Sequence, residues 1–441
     1  MSNVSLRLLW SIIALTLCAI VIDANPYTAN GISILPDMLL SSNANKTDVG
    51  SFVGSEKFPL IIAGIIAAVV VVILIVAGIV VFVCCKKKSK KTKKKSKKTH
   101  YDEDEARRRR EEKQAHDEEL RRRAEEKFVT CTLNKGFGRI RDEFSKLKGY
   151  VPPNMTVTAF KANARRSRDK NIPCQDKFRV VLKWPGSSTD FIHANYVTTP
   201  NNEKRFISAQ GPLDSTIVDF WHMVIQEECE YIVMLCNVKE KGMDACAQYW
   251  PLVYGQAKSY GDVEVLNKWG TSNPLPHSED DYGDDYELRE TYLIVRWKEN
   301  GKHKERIIHH YQWTSWPDHG VPPSDLSGNI MRMRGLCETK KPIIVHSSTG
   351  IGRTGSFLAM QLMCQRFKTD LSCESMDGVL RDLRDQRPYS IQTEAQYIFI
   401  HRTFLADYFA DYYPPETNIS PELKAKYDWF VADCKKTFGI V

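Results

Sequence analysis

Several absences bound this chain before any motif is read. Of its 12 cysteines none lies between residues 25 and 57, so that stretch cannot be a disulfide-stapled scaffold, and the scattered remainder fits a reducing compartment for the folded bulk. Net charge is missing almost everywhere: residues 86–127 hold 19 Lys/Arg against 11 Asp/Glu, which is the whole formal +8. A balance confined to one segment excludes a basic nucleic-acid footprint on the folded part, and no nucleic-acid partner is expected. From Phe128 onward some 280 residues run without a Gly/Ser linker or an internal repeat, which predicts one large domain. With 42% hydrophobic residues overall, wholesale disorder is excluded.

Charge is also absent from Leu60 to Val83, 24 apolar residues broken only by Gly64 and Gly78. At ~1.5 Å per residue such a helix crosses a ~30 Å hydrocarbon layer, and 58–83 is expected as a transmembrane helix. The two glycines are too far apart for a small-xxx-small dimer motif, so the oligomeric state stays open. Ahead of it, Arg7 and the apolar run Leu8 to Ile22 lead to Ile22-Asp23-Ala24, the pattern of a signal peptide over 1–24. An uncleaved signal anchor is the alternative. The intervening 25–57 is a short ectodomain, too small to bury a core, whose readable chemistry is the sequon Asn45-Lys46-Thr47, with Asn45 the glycosylation candidate.

After the span come Cys84 and Cys85, candidates for acylation, and ten lysines between Lys86 and Lys98. This charge step predicts type I orientation with the C-terminus in the cytoplasm. The polybasic segment 84–100 serves equally as a plain stop-transfer signal or as a patch for the anionic inner leaflet, each cation near it contributing roughly 1 kcal/mol. Residues 101–127 are nearly all charged, with Ala106, Ala115, Leu120 and Ala124 as the sparse apolar positions. A solvated spacer helix is expected there rather than a coiled coil.

Within the domain, Tyr231 to Cys236 and Pro342 to His346 are short apolar runs suited to buried strands. Glu287 to Trp297 and Arg306 to Trp313 flank Asn300-Gly301, a hairpin signal. Helical patterns cover Asp219 to Glu227, Gly352 to Arg366 and Ser375 to Arg384, while the acidic, proline-containing stretch 267–286 is a surface loop. Strands mixed with helices in this order predict an α/β (α+β) class. After the second strand the chain reads Ser347-Ser348-Thr349-Gly350-Ile351-Gly352-Arg353-Thr354-Gly355 and turns helical. Glycines that let consecutive amides turn inward, a helix N-terminus and an arginine fork make an anion cradle, with phosphate the natural occupant. A second segment, Trp316-Pro317-Asp318-His319-Gly320, places Asp318 on a movable loop as a candidate acid.

These two segments resemble the signature loop and the WPD loop of protein tyrosine phosphatases. The likeness runs over about residues 128–410 and takes in Asp190-Phe-Ile-His-Ala-Asn195-Tyr196, Gln210-Gly211-Pro212-Leu213, Asp219-Phe220-Trp221, Cys246-Ala-Gln-Tyr-Trp250-Pro251 and Gln392-Thr-Glu-Ala-Gln396-Tyr397-Ile-Phe399. Signal, single span and one such domain are similar to the layout of receptor-type members, leaving 411–441 as a C-terminal tail. The resemblance implies a tyrosine-phosphatase fold, a central mixed sheet flanked by helices, with no cofactor and no metal. It also implies a substrate site of Ser348, Thr349, Gly350, Ile351, Gly352, Arg353 and Gln392, with Asp169 at its mouth.

Where the family carries Cys directly after His, this chain carries Ser347. A thiol, ordinarily of pKa ~8.5, can be lowered to ~3.5–7.5 in such a cradle and attack as thiolate, whereas a serine alcohol needs an adjacent general base. The family's phosphotyrosine loop reads Asn-Arg-Tyr, against Ser167-Arg168-Asp169 here, and the Lys before the Cys-x-Gln-Tyr-Trp motif is Ala245. Losing the aromatic wall forfeits roughly 0.5–1.5 kcal/mol of stacking, and a carboxylate at the mouth adds repulsion of ~1 kcal/mol at 4 Å in water. The expectation is a membrane-tethered pseudophosphatase, a binding or scaffold module for phosphotyrosyl proteins. Three alternatives stay open: a receptor-type phosphatase hydrolysing phosphotyrosine with Asp318 as acid, an interaction protein using Tyr101, Tyr282, Tyr412 or Tyr413, and a ligand-sensing receptor, which the short ectodomain disfavours.

Overall fold

The computed structural model describes residues 58–270, 288–322, 339–369, 374–412 and 420–439 apart from 186, 188 and 202. The expected signal peptide, the ectodomain with Asn45, most of the 267–286 loop, Tyr282 and Tyr413 lie outside the described residues. The chain divides into two compact units, Met1–Glu103 and Asp104–Val441.

In the first unit the described backbone is helical, part of α1 (Phe58–Leu147). Its stretch Ile66–Lys87 is long and apolar enough to cross a membrane. The side chains from Ile66 to Val83 are exposed all round, an arrangement that water disfavours and lipid does not.

In the second unit α1 carries the charged spacer, and the spacing of opposite charges explains its helicity. Arg109 reaches Glu105 at 2.6 Å, Arg123 reaches Glu119 at 2.8 Å and Arg121 reaches Glu125 at 2.8 Å, all i,i±4 pairs worth ~0.3–0.5 kcal/mol each. The character changes at Ala124 and Phe128, which are buried. Gly136 then breaks the helix with φ 74° and ψ 166°, values glycine adopts without a Cβ penalty. Beyond it Ile140, Phe144 and Leu147, spaced i, i+4, i+7, bury one stripe against the core.

After α2 (Thr158–Ala162) the strands β1 (Arg179–Val181), β2 (Phe191–Thr198) and β3 (Lys204–Gln210) lead to α3 (Ile217–Gln226) and β4 (Tyr231–Met234). A small ribbon, β5 (Lys239–Glu240) and β6 (Met243–Asp244), precedes β7 (Ala257–Tyr260), β8 (Val263–Gly270), β9 (Leu288–Glu299), β10 (Lys302–Trp313) and β11 (Ile343–Ser347). The chain closes with α4 (Arg353–Lys368), α5 (Met376–Gln386), α6 (Glu394–Tyr412) and α7 (Pro421–Phe438). The hairpin expected at Asn300-Gly301 is the β9–β10 turn, both residues having positive φ, 51° and 76°, as a two-residue I′ turn requires.

Among the described residues the main sheet has nine strands in the order β1-β2-β3-β11-β4-β10-β9-β8-β7. β11 runs parallel to β3 and β4, and β10 parallel to β4, while the flanks are antiparallel. The sheet is therefore mixed, as the sequence predicts, and β11 sits near its centre. Period-two alternation sends Ile343 and Val345 with Val233 and Leu235 to a core shared with α1, α4, α5 and α6, and Ile344 with Ile232 and Met234 to one shared with α3. Each such side chain contributes ~1.5–3 kcal/mol by leaving water. In the segment expected as a tail, α7 adds Phe430 and Cys434 to the first core. Leu423, Tyr427 and Phe438 pack partly buried beside them, a stripe at i, i+4, i+7 spacing that the reading as a tail passed over.

Several buried histidines link the fold to pH. Burial pushes His193, His310 and His401 down to about 3, with the Arg387 and Lys135 cations adding to the effect at His193 and His401. In the unfolded chain they take a proton near ~6.5. Below that pH only the unfolded state is protonated, so stability is full above it and is lost as pH falls toward 3, at ~1.4 kcal/mol per pH unit and proton. The thermal midpoint of the domain is expected to fall between pH 7 and pH 5, and His401→Gln to flatten that slope by one proton; a level profile in scanning calorimetry contradicts the neutral burial.

Candidate anion-binding site

β11 delivers Ser347 to the sheet edge, and residues 348–352 turn into α4, whose N-cap is Gly352. The turn is possible because of glycine: Gly350 has φ 71°, and a Cβ there would run into the Ala209 backbone. Arg387 fixes the outer side of the loop, donating from Nε to the Gly350 carbonyl at 3.1 Å and from Nη2 to the Thr349 carbonyl at 3.0 Å. Ser208 Oγ donates to the same Gly350 oxygen at 3.1 Å. With the carbonyls tied outward, no N–H of residues 348–353 is donated within the chain among the described residues. A row of unspent amides at a helix N-terminus is an anion-binding surface.

Arg353 opens α4 and is 1% exposed. Glu240 on β5 takes it in a two-pronged pair, Oε1 to Nη1 at 2.6 Å and Oε2 to Nη2 at 2.8 Å. Nη1 also donates to the Trp316 carbonyl and Nη2 to Asp318 Oδ1, both at 3.0 Å. Burial is the largest influence and opposes the guanidinium charge, but the hydrogen bond to Glu240 and the neighbouring Glu240 and Asp318 charges together overcome it and hold the pKa above its ordinary value. Asp318 thus takes up a donor of the arginine that an anionic ligand could otherwise use.

The Asp318 loop is docked over the cradle. Trp316 Nε1 donates to the Gly320 carbonyl at 3.1 Å and Thr393 Oγ1 to the His319 carbonyl at 3.2 Å. Gln392 lies where a Cβ on Gly352 would strike it, and Gln396 caps α6 by accepting from the Gln392 amide at 3.0 Å. Ile391 holds φ 61°, a strained value for a β-branched residue, while its N–H bonds the Ile351 carbonyl at 2.9 Å. That contact presses the Gln392 segment onto the cradle.

Ser347 is buried, and its Oγ accepts from Thr354 Oγ1 at 2.9 Å. Among the described residues no imidazole or carboxylate hydrogen-bonds that oxygen. The adjacent His346 faces the other side of the sheet, where its Nε2 lies 2.8 Å from the Tyr249 hydroxyl, which in turn lies 2.7 Å from His310 Nε2. Burial, then the charges of His310, Arg168 and Arg353, hold His346 well below the usual imidazole range.

The structure brings together Ser347 to Arg353, Asp318 and Gln392. Asp169 is half-buried, its Oδ1 accepting the Asn171 amide at 2.8 Å, and among the described residues no hydrogen bond joins its side chain to the cradle. Its neighbour Arg168 makes the link, donating to the Gly211 carbonyl at 3.1 Å and the Pro212 carbonyl at 2.8 Å. Gly211 in turn gives its N–H to the Ser347 carbonyl at 2.6 Å. Sequence reasoning missed Glu240, Arg387 and Arg168. Glu240 sits in an ordinary charged turn, Lys239-Glu-Lys-Gly242, and Arg387 is one of several arginines in its segment, so neither carries a local signal.

A family model described as protein-tyrosine phosphatase matches residues 163–406, and one described as DAP10 membrane protein matches residues 29–100. The chain is 36% identical over 258 residues to receptor-type tyrosine-protein phosphatase zeta of Rattus norvegicus, covering 55% of this chain and 10% of that protein. It is 40% identical over 250 residues to the tyrosine-protein phosphatase Lar-like of Caenorhabditis elegans, again 55% and 10%. Receptor-type tyrosine-protein phosphatase eta of Mus musculus is 34% identical over 280 residues, 62% of this chain and 21% of that one. The match thus spans 10% to 21% of the length of these relatives. Among solved structures, the catalytic domain of human protein tyrosine phosphatase non-receptor type 18 aligns at TM-score 0.51 with 26% identity, covering 63% of this chain and 96% of that one. PTPN18 in complex with a HER2 phosphopeptide aligns at 0.54 with 25% identity, covering 65% and 99%.

The cradle turn supplies a direct test. Gly350→Ala places a Cβ at positive φ against the Ala209 backbone, and the expected loss is at least ~1–3 kcal/mol of unfolding free energy in urea denaturation. A neutral substitution contradicts the described turn.

Proposed function

Because the chain belongs to the protein-tyrosine phosphatase family, we propose that it is a membrane-tethered pseudophosphatase: its cradle takes up a phosphotyrosyl group and does not hydrolyse it. The carrying observation is at Ser347, which fills the position of the family's attacking cysteine and has Thr354 as its side-chain hydrogen-bond partner. Thr354 donates to Ser347 Oγ and cannot at the same time remove its proton. With no imidazole or carboxylate hydrogen-bonded to that oxygen among the described residues, the alcohol stays protonated and attack on phosphorus fails.

Binding draws on different groups. The amides of Ser348, Thr349, Gly350, Ile351 and Gly352 and the Arg353 fork supply the donors, and Gln392 lines the rim. Phosphate binding displaces Asp318 from Nη2 and leaves Glu240 holding the guanidinium from the far side. Asp169 in place of an aromatic wall weakens affinity for the phosphotyrosyl ring and favours peptides with a cation beside it. A second reading, a receptor-type phosphatase with turnover, draws on Asp318 standing beside Arg353 as a family acid would.

The tether follows from the apolar helix. The reading sets a signal peptide at 1–24, an ectodomain at 25–57 glycosylated at Asn45, and a span at 58–83. The polybasic segment 84–100 lies on the anionic inner leaflet, and the spacer 101–127 leads to a cytoplasmic domain from 128 in type I orientation. Phosphotyrosyl proteins at the membrane are the partners, and the role is to shield or gather them.

Turnover of a phosphotyrosyl peptide by the full chain in detergent micelles, with Ser347→Cys beside it, tests the reading. The native chain is expected at the no-enzyme blank and Ser347→Cys at least ~10-fold above it. Hydrolysis by the native chain well above the blank overturns the proposal.

A further inference from the structure

A second cluster of chemically capable side chains lies behind the cradle, on the face of the sheet that Ser347 does not serve. His346 reaches it from β11, Cys236 from the residue pair just past β4, and Cys246 from the loop after β6. All three are buried, at 0%, 0% and 1% exposure, and their ligand atoms lie within 4.8 Å of one another. Nothing in the anion-binding reading uses them. Their neighbours fix them closely: the Leu235 amide bonds the His346 carbonyl at 2.8 Å, and a Cβ on Gly211 would meet Cys246 Sγ at 3.2 Å.

We propose that Cys236, Cys246 and His346 form a binding site for one thiophilic d10 cation, monovalent copper or zinc, behind the floor of the anion cradle. Two sulfurs and an imidazole nitrogen are soft or borderline donors, and the absence of a carboxylate from the trio disfavours magnesium and calcium. Metal bonds of ~2.3 Å to sulfur and ~2.0–2.1 Å to nitrogen place trigonal ligand atoms roughly 3.7–4.0 Å apart, so the trio closes on a cation with a shift of less than ~1 Å. The imidazole is already oriented, because the Tyr249 hydroxyl bonds Nε2 while Nδ1 is buried with no hydrogen-bond partner. Such an outer anchor is how a ligating ring is normally set.

Charge supports the same assignment. A cation held by both sulfurs takes them as thiolates. Binding releases both thiol protons, leaving a neutral unit with zinc and a singly negative one with monovalent copper. Three donors complete the coordination of monovalent copper, whereas zinc requires a fourth. The cation ties β4, β11 and the Cys246 loop together directly behind Gly211, whose amide holds Ser347.

The test uses the untagged full chain in detergent micelles, loaded separately with zinc and, under argon, with monovalent copper, then dialysed and assayed for metal. Because Cys84 and Cys85 are exposed thiols, the assay is run in parallel on a Cys84→Ser/Cys85→Ser chain. About one cation per chain is expected in both, falling at least ~10-fold in Cys236→Ala and in Cys246→Ala. X-ray absorption on the loaded Cys84→Ser/Cys85→Ser chain covers the case in which those variants misfold: two sulfurs at ~2.3 Å and a nitrogen at ~2.0 Å are expected. Comparison of the two loadings identifies the cation. Failure to retain either metal overturns the proposal, as does metal lost with Cys84 and Cys85, a shell without sulfur, or a native chain lighter by two hydrogens from a Cys236–Cys246 disulfide.

Discussion

The pairing of Arg353 with Glu240 is the constraint on which the site is built. A guanidinium 1% exposed cannot stand alone in a protein interior, and removing one partner of such a pair costs ~3–5 kcal/mol. Glu240 neutralises it from one side in a two-pronged contact, which fixes the plane of the fork. The remaining Nη hydrogens then point to a common place, and in the unliganded chain the Trp316 carbonyl and the Asp318 carboxylate fill it. The loop carrying Asp318 is closed because Arg353 needs acceptors. An arriving anion therefore competes with an internal carboxylate before it gains anything from the amides.

The amides are available because other side chains have taken the carbonyls. Arg387 and Ser208 hold the Thr349 and Gly350 oxygens outward, and Gly350 supplies the backbone conformation that no other residue adopts without strain. The cradle is thus a strained turn whose carbonyls are held by Arg387 and Ser208 and not by the side chain at position 347. The serine oxygen at 347 is hydrogen-bonded by Thr354 and takes no part in holding the loop carbonyls. In the proposed function, recognition of a phosphate and attack on it rest on different residues, so one can be lost without the other. The same sheet strand serves two faces, with Ser347 toward the cradle and His346 toward the thiol pair behind it. A cation bound there would stiffen the cradle from beneath.

Much of the fold was legible in the sequence because its signals are local. Asn300-Gly301 announced the β9–β10 hairpin, the runs at Ile232 and Ile343 announced buried strands, and the uncharged stretch after Leu60 announced a helix able to span a bilayer. The cradle was legible for the same reason, since its glycines, arginine and following helix are consecutive. What escaped are contacts between segments far apart: Glu240 with Arg353 across 113 residues, and Arg387 with Thr349 across 38. Charged residues in turns are usually solvated, and nothing local distinguishes one that is turned inward. The α7 helix escaped as well: Phe430 and Cys434 are buried and Leu423, Tyr427 and Phe438 pack partly buried beside them, but the segment lies beyond the stretch that resembles the family and reads as a tail.

The most direct test of this account is the affinity of a phosphotyrosyl peptide for the full chain, measured by titration calorimetry with and without Asp318→Asn. If Asp318 occupies the phosphate seat on Arg353, removing its charge should relieve a competitor worth ~1 kcal/mol, and binding should tighten by roughly fivefold. Unchanged or weaker binding in Asp318→Asn, or no binding by either chain, would contradict the claim that the cradle is an anion site held shut by its own carboxylate.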